Sequence, residues 1–316
     1  MARYKPEWMD ASIFEINKQP ARCSSIPFAD RHSALGGQAS SYELFLDGEW
    51  RFHWAPKPGE RVQDFQNPAF DDQAWATCPV PAQWELHGYG VPIYAPFHMP
   101  PSLRKNDLPN IDPEDNPVGA YRRMFQIPAD WQGRDIYLQF DGVCSAFYVW
   151  INGEFVGYSQ DSMLPAEFHI TPYLKEGKNL LAVEVYRFSD GSYLENQDMW
   201  FLSGIFRSVR LFALPQYAIR DFFLKSQFTA GTDEMEDLYA SSLVVQADIL
   251  LSISDPEASP HLQLEVILLD GEKELASQAV EIESLSRATQ AEIHLPVESP
   301  RLWSAETPIL YDVLLI

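Results

Sequence analysis

The residues best placed to do chemistry lie in one stretch, 189–207, where Asp190, Glu195, Asn196 and Asp198 stand among Tyr193, Met199, Trp200, Phe201, Ile205 and Phe206. Carboxylate and amide oxygens accept hydrogen bonds from hydroxyl groups, and aromatic faces pack against C–H surfaces. The mixture suits a polar ligand rich in hydroxyls. Glu195 and Asp198 are three residues apart, which in a loop fixes no distance, and capping of backbone N–H groups is the plainer role for such carboxylates. A second irregular stretch, 88–117, is rich in proline and carries Asn106, Asp107, Asn110, Asp112, Glu114, Asp115 and Asn116. Its acids do not follow the calcium-hand spacing, because the sixth position is not Gly and Pro113 interrupts the run. His87 and His98 border this stretch or lie within it, either beside a ligand or simply at the surface.

Other chemistries are excluded by spacing. Gly157-Tyr158-Ser159-Gln160-Asp161 is not a G-x-S-x-G elbow. Cys23, Cys78 and Cys144 form no C-x-x-C pair, and Cys144 reads as a packed small residue rather than a nucleophile. The seven histidines show no metal-binding spacing, and no Gly-rich phosphate loop occurs.

The elements that must position the 189–207 stretch read as β-strands. It lies between apolar runs at 180–188 and 208–214, far too long for a hairpin turn, and connections above roughly 12–15 residues are functional or disordered. Its aromatic content excludes disorder. Strands are expected at 121–127, 135–140, 146–151, 154–158 and 167–170 as well, with Asn152-Gly153 marking a type I′ hairpin. Upstream, Trp50, Phe52 and Trp54 alternate as one buried face of a strand, whereas the Pro-rich run Cys78 to Trp84 cannot sit inside a sheet. Residues 1–43 lack periodicity and read as an arm. Beyond a break at 214–216, six further runs, 219–228, 243–254, 261–269, 274–283, 291–295 and 309–316, predict a second sandwich. The fold expected is therefore all-β: a jelly-roll β-sandwich over 44–216, then an immunoglobulin-like β-sandwich over 217–316. The last run stops in an apolar strand, an edge that proteins avoid exposing, so the chain is expected to be part of a longer protein.

The net charge of −22 argues against nucleic acid and anionic membrane surfaces, both of which need a basic face. The last hundred residues hold 5 Lys/Arg against 18 Asp/Glu, a shift consistent with a boundary near 216. No apolar run approaches the roughly 18–20 residues of a membrane helix, and no signal-like segment follows Met1, so a cytoplasmic location is expected.

Several motifs resemble one family, the large beta-galactosidases of glycoside hydrolase family 2. They are Leu46-Asp47-Gly48-Glu49-Trp50-Arg51-Phe52, Asn116-Pro117-Val118-Gly119-Ala120-Tyr121, Phe140-Asp141-Gly142-Val143, Val156-Gly157-Tyr158-Ser159-Gln160-Asp161-Ser162, Pro165-Ala166-Glu167-Phe168, the 189–207 stretch and Pro300-Arg301-Leu302-Trp303-Ser304. The resemblance implies a jelly-roll sugar-binding domain of galactose-binding-like kind, an immunoglobulin-like domain and, beyond this chain, a (β/α)₈ barrel with the catalytic glutamates. It implies a retaining enzyme acting on galactosides such as lactose, a homo-oligomer, and sodium and magnesium in the full-length parent, with no cofactor held by this chain alone and no catalytic residue within it. Carried over by resemblance, Asp198 reaches into the active site, where it contacts the sugar and ligates sodium together with barrel residues. The family's asparagine two residues after the tyrosine matching Tyr94 is here Pro96, which has no side-chain donor or acceptor, leaving Asn106 or Asn110 for that contact. Two other readings stand beside this one, a stand-alone carbohydrate-binding module without catalysis and a structural sandwich mediating oligomer contacts.

Overall fold

Asn152 and Gly153 both take positive φ, 54° and 92°, the requirement of a type I′ turn, and they join antiparallel strands Ala146–Ile151 and Glu154–Ser159. From this hairpin a seven-stranded sheet extends in the order Glu15–Ile16, Glu154–Ser159, Ala146–Ile151, Lys178–Tyr186, Val118–Gln126, Gly48–Ala55 and Ala76–Val80. A four-stranded sheet, Ala166–His169, Asp135–Phe140, Val209–Leu214 and Glu43–Phe45, completes the jelly-roll sandwich. These elements come from a computed structural model that describes residues 5–94, 103, 108–195, 197–215, 217–229, 242–253, 262–282, 288–298 and 300–316.

Alternation along the strands places the core between the two sheets. Trp50 and Phe52 are buried, as are Tyr121, Val149, Ile151, Val183 and Val185 on one sheet and Leu138, Phe140, Phe168 and Leu211 on the other. Burial of each such aliphatic or aromatic side chain contributes about 1.5–3 kcal/mol. Trp50 also donates its indole N–H to the Leu46 carbonyl at 2.8 Å, so its one polar group is satisfied. Trp54, expected on the same buried face, is only half-buried. The Pro-rich run differs from its expectation in part, since Ala76–Val80 does form a strand, with Pro79 opposite Glu49. It is the last strand of its sheet, the position where a residue without an N–H is tolerated.

The chain divides into two compact units, Met1–Ala21 with Ser41–Ala213, and Arg22–Ser40 with Leu214–Ile316. The stretch read as an arm is thus shared between them. In the first unit Trp8 is buried and stacks on Tyr186 at 5.1 Å, and Ile16 pairs with Tyr158. In the second, Asp30 and Ser33 cap each other around a short helix, Arg31–Leu35, that no helical periodicity announced. The remainder of the second unit is an immunoglobulin-like sandwich of two three-stranded sheets, Tyr217–Thr229, Ser242–Ile253 and Ala288–Glu298 against Lys273–Ile282, Leu262–Asp270 and Asp312–Leu315. Leu264, Val266 and Leu268 from one sheet meet Ile293, Leu295 and Val297 from the other, each at strand period two. Among the described residues no helix is long and apolar enough to cross a membrane.

Gly119 shows how tightly the first unit is filled. A Cβ there would stand 2.5 Å from the Trp84 ring and 2.9 Å from Phe52, so Gly119→Ala is expected to lower stability by about 1–3 kcal/mol through overpacking. Urea unfolding followed by tryptophan fluorescence measures it, and an unchanged midpoint would contradict the packing described.

Candidate functional site

The strand Lys178–Tyr186 runs out of the sheet into Arg187, whose N–H bonds the Pro117 carbonyl at 3.0 Å. Its side chain then turns inward and is buried. Nη2 donates to the carbonyls of Val91 (2.9 Å) and Phe201 (3.1 Å), and Nε lies 3.6 Å from Glu85 Oε1. Glu85, also buried, accepts the Ser203 N–H on Oε2 at 2.8 Å. Burial raises the Glu85 carboxyl, opposed by the Ser203 N–H and the guanidinium, and burial lowers Arg187. Beside them Asn116 copies a strand partner: its amide donates to the Phe188 carbonyl and accepts the Phe188 N–H, at 2.9 and 2.8 Å. A charge taken out of water is costly unless paired and hydrogen-bonded, so the segments around residues 85, 91 and 201–203 are held to one arrangement.

On this frame the 189–207 stretch is ordered throughout its described residues. Ser189 and Ser192 cap a 3₁₀ turn, Asp190–Tyr193. Asp190 accepts from the Gln160 amide at 2.8 Å, and Glu195 takes the Ser162 N–H (2.8 Å) and hydroxyl (2.7 Å). Burial raises both carboxyls. These two acids therefore hold the loop, the capping role weighed from the sequence. Two short pairings follow, Trp200–Phe201 with Ile93–Tyr94 and Gly204–Ile205 with Val143–Cys144.

Asp198 is left for the surface. Its Oδ1 accepts the Tyr94 hydroxyl at 2.7 Å, which is the main cause of a raised Tyr94 phenol, while Oδ2 takes no bond from the described residues. Trp200 stacks on Tyr94, centroids 5.5 Å apart and planes 29° apart, and both rings are about half exposed. Trp200 therefore belongs to the open face. Anchoring falls instead to Ile205, fully buried, and to Phe201 against Phe188. Next to this face lies a cavity of about 240 Å³ lined by Ser162, Met163, Arg187, Glu195, Met199 and Phe206 among others. The Cys144 thiol also lines it; burial pushes it up to about 12, so it stays protonated and unreactive.

The other sequence candidates fall elsewhere. Asn110 accepts from Lys5 at 3.1 Å, and its backbone carbonyl takes the Tyr193 hydroxyl at 2.7 Å; no hydrogen bond joins it to Asp198. Pro96, Asn106, His98 and Asn196 lie outside the described residues. His87 is exposed at the end of a 3₁₀ turn, Trp84–His87. Hard cations such as magnesium need about six oxygen ligands. Asp198 offers one free carboxylate oxygen, and no group of three His, Cys, Asp or Glu that could hold a metal occurs among the described residues. Glu85 and Arg187 were missed from the sequence; a charged pair set in apolar surroundings, beside Trp84 and Phe188, was the available signal.

Residues 44–215 match the family described as glycosyl hydrolases family 2, sugar binding domain, and residues 232–316 match glycosyl hydrolases family 2. A beta-galactosidase of Priestia megaterium is 41% identical over 98% of this chain, covering 30% of that protein. One from Vibrio cholerae is 41% identical over 88% of the chain and 26% of its own length. The chain spans less than a third of the length of these two relatives. Among solved structures, a beta-glucuronidase from glycoside hydrolase family 2 superposes with a TM-score of 0.65 at 18% identity over 88% of this chain and 29% of that one. A family member from Bacteroides cellulosilyticus gives 0.62 at 22% over 87% and 34%. At such identities the likeness is one of fold.

Two outcomes follow from the buried charges. Arg187→Met strands Glu85, and removal of one partner of a buried pair is expected to cost about 3–5 kcal/mol. Hydrogen exchange should quicken at 91–94 and 200–203, and an unaltered exchange pattern there would contradict the role given to Arg187. Glu195 has a folded-state value above the ordinary 4.5, so the folded state holds its proton more tightly than the unfolded chain does. Its contribution to stability is therefore greatest below that value and declines as pH rises through the raised one. The wild-type stability measured relative to Glu195→Gln should fall as pH rises above the ordinary carboxylate value; a rise would show the Ser162 bonds outweighing burial.

Proposed function

Since the chain belongs to glycosyl hydrolases family 2, we propose that it is the N-terminal part of a retaining beta-galactosidase that hydrolyses terminal β-galactosides such as lactose, and that the Asp198 face forms one wall of the active site. The observation that carries this reading is the state of Asp198. One oxygen is fixed by Tyr94, the other is open, and an exposed aromatic pair lies beside it. A carboxylate oriented in this way accepts hydroxyl protons from a sugar, and the neighbouring rings offer their faces to its C–H surface. The names of the similar proteins support the substrate class.

Retaining hydrolysis needs a nucleophile and an acid/base carboxyl about 5–5.5 Å apart. Asp190 and Glu195 are spent on Gln160 and Ser162, and Asp198 has no carboxylate bonded beside it. In the family that the chain resembles, the catalytic pair belongs to a (β/α)₈ barrel, and the reading places it there, outside this chain. The chain's own residues bind and orient: Tyr94 holds the Asp198 carboxylate, Arg187 and Glu85 hold the segments that carry both, and the Trp200 ring shields one side from water. Sodium, if Asp198 ligates it, needs the remaining donors from that barrel.

In the full-length enzyme, Asp198→Ala should lower kcat/KM for a nitrophenyl galactoside about 100-fold, equivalent to about 2.7 kcal/mol, and Tyr94→Phe about tenfold. The 316-residue chain alone should give no turnover. Turnover by the isolated chain, or unchanged kinetics in Asp198→Ala, would overturn the reading.

A further inference from the structure

The turn that closes the first hairpin carries a covalent liability. Of the eight asparagines in the chain, Asn152 alone is followed by glycine; the others precede Lys, Pro, Asp, Ile, Leu or Gln. Glycine has no side chain to shield its backbone nitrogen, and that nitrogen can close a five-membered ring on the amide carbon of the asparagine before it. The reaction needs only water. Gly153 N gives its proton to a base in solvent and attacks Asn152 Cγ; the Cγ–Nδ2 bond breaks, and the nitrogen takes up a proton and leaves as ammonia. Water then opens the succinimide. Cleavage of the new N–Cγ bond gives aspartate, whereas cleavage at the backbone carbonyl gives isoaspartate, in which the main chain runs through Cβ and Cγ. One amide and one water become a carboxylate and ammonium, with no change of oxidation state.

The fold holds this step back. Asn152 Nδ2 donates to the Tyr173 carbonyl at 2.9 Å and to Asn179 Oδ1 at 2.8 Å, while its Oδ1 accepts the Leu180 N–H at 3.1 Å. Its backbone N–H is tied to the Leu180 carbonyl at 2.9 Å. Both donors and the oxygen of the amide are therefore engaged, which pins the side chain to residues 173–180. Residues 66–68 cover the turn from another side: a Cβ on Gly153 would stand 3.2 Å from Pro68 Cδ and 3.6 Å from the Gln66 carbonyl oxygen. Buried Arg122 fastens that segment by donating to the carbonyls of Asn67 (3.0 Å) and Phe70 (3.2 Å).

The same contacts have no place for the product. Asn179 is fully buried; its Oδ1 accepts the Lys175 N–H at 3.0 Å, and its Nδ2 donates to the carbonyls of Lys175 (3.0 Å) and Gly177 (3.2 Å). An aspartate at 152 would put a carboxylate oxygen where Nδ2 stands, facing the Tyr173 carbonyl and Asn179 Oδ1, two acceptors. Turning the Asn179 amide over to supply a donor would break its own three bonds. A charge partly out of water and set against acceptors is strongly disfavoured. Isoaspartate lengthens the main chain by one atom, which a two-residue type I′ turn does not accommodate.

We propose that Asn152 is the chain's principal deamidation site, closed to reaction in the folded state and exposed when the 152–153 turn releases residues 173–180, and that its conversion unfastens the hairpin of Ala146–Ile151 and Glu154–Ser159. The Asp198 face plays no part in it.

The test holds the full chain at mildly alkaline pH, native and in urea, and follows conversion at each asparagine by peptide mass spectrometry. In urea Asn152 should convert before the other seven. In the native state its conversion should be about a hundredfold slower, the factor expected for breaking three hydrogen bonds of ordinary strength. Because the Leu180 N–H is bonded to the reacting side chain, its hydrogen exchange should be slowed by the same factor to within about threefold. Asn152→Asp should quicken exchange at Leu180 and lower the urea midpoint; should that variant fail to fold, the two wild-type rates decide the matter. Native conversion as fast as that in urea, another asparagine converting first in urea, Leu180 protection exceeding the slowing by more than about tenfold, or wild-type exchange in Asn152→Asp would each overturn the proposal.

Discussion

A guanidinium that leaves water must find its acceptors inside the protein, and in this chain Arg187 finds them in segments far apart along the sequence. The carbonyl of Val91, the carbonyl of Phe201 and the Glu85 carboxylate all turn toward it. Glu85 in turn holds the Ser203 N–H. Satisfying one buried charge thereby brings the end of the 84–94 segment beside the 200–205 segment, and the short pairing of Ile93–Tyr94 with Trp200–Phe201 forms where they meet. Tyr94 and Asp198 are carried by these two segments, so their 2.7 Å bond rests on a charge pair buried beneath the surface that the ligand would see.

The strand Lys178–Tyr186 links the parts of the first unit. Its inward residues, Val183 and Val185, fill the sandwich; its outward ones, Glu184 and Tyr186, bond each other on the opposite face; and the chain leaves it at Arg187. Sheet geometry, with side chains alternating between faces, is what allows one strand to serve core and surface together. The cost falls on charge, since Glu85, Glu184 and Arg187 are all held in surroundings that disfavour their ionised forms.

Much of this architecture could be read from residue order because it depends on local rules. Asn152-Gly153 dictated its hairpin through positive φ, and the alternation of Leu264, Val266 and Leu268 announced a strand of the second sandwich. Pro79 marked a sheet boundary, though not that its run would itself be the edge strand. The site was less legible. Asp190, Glu195 and Asp198 look equivalent in sequence, and only tertiary partners, Gln160, Ser162 and Tyr94, divide the two structural acids from the exposed one. Trp200 is a large apolar side chain, yet it pairs with Tyr94 at the surface rather than in the core. The Glu85–Arg187 pair joins residues far apart along the chain, and Glu184 faces outward by strand parity that no motif marks.

The central claim is that Asp198, steadied by Tyr94 over the Arg187 frame, is the side chain by which this unit touches a galactoside. The most direct measurement is a crystal structure of the full-length protein with a non-hydrolysable galactoside bound. An Asp198 carboxylate oxygen within about 2.5–3.2 Å of a sugar hydroxyl, with the Tyr94 bond intact, is the result the account requires. A bound galactoside beyond about 6 Å from Asp198, with that carboxylate turned to solvent, would contradict it.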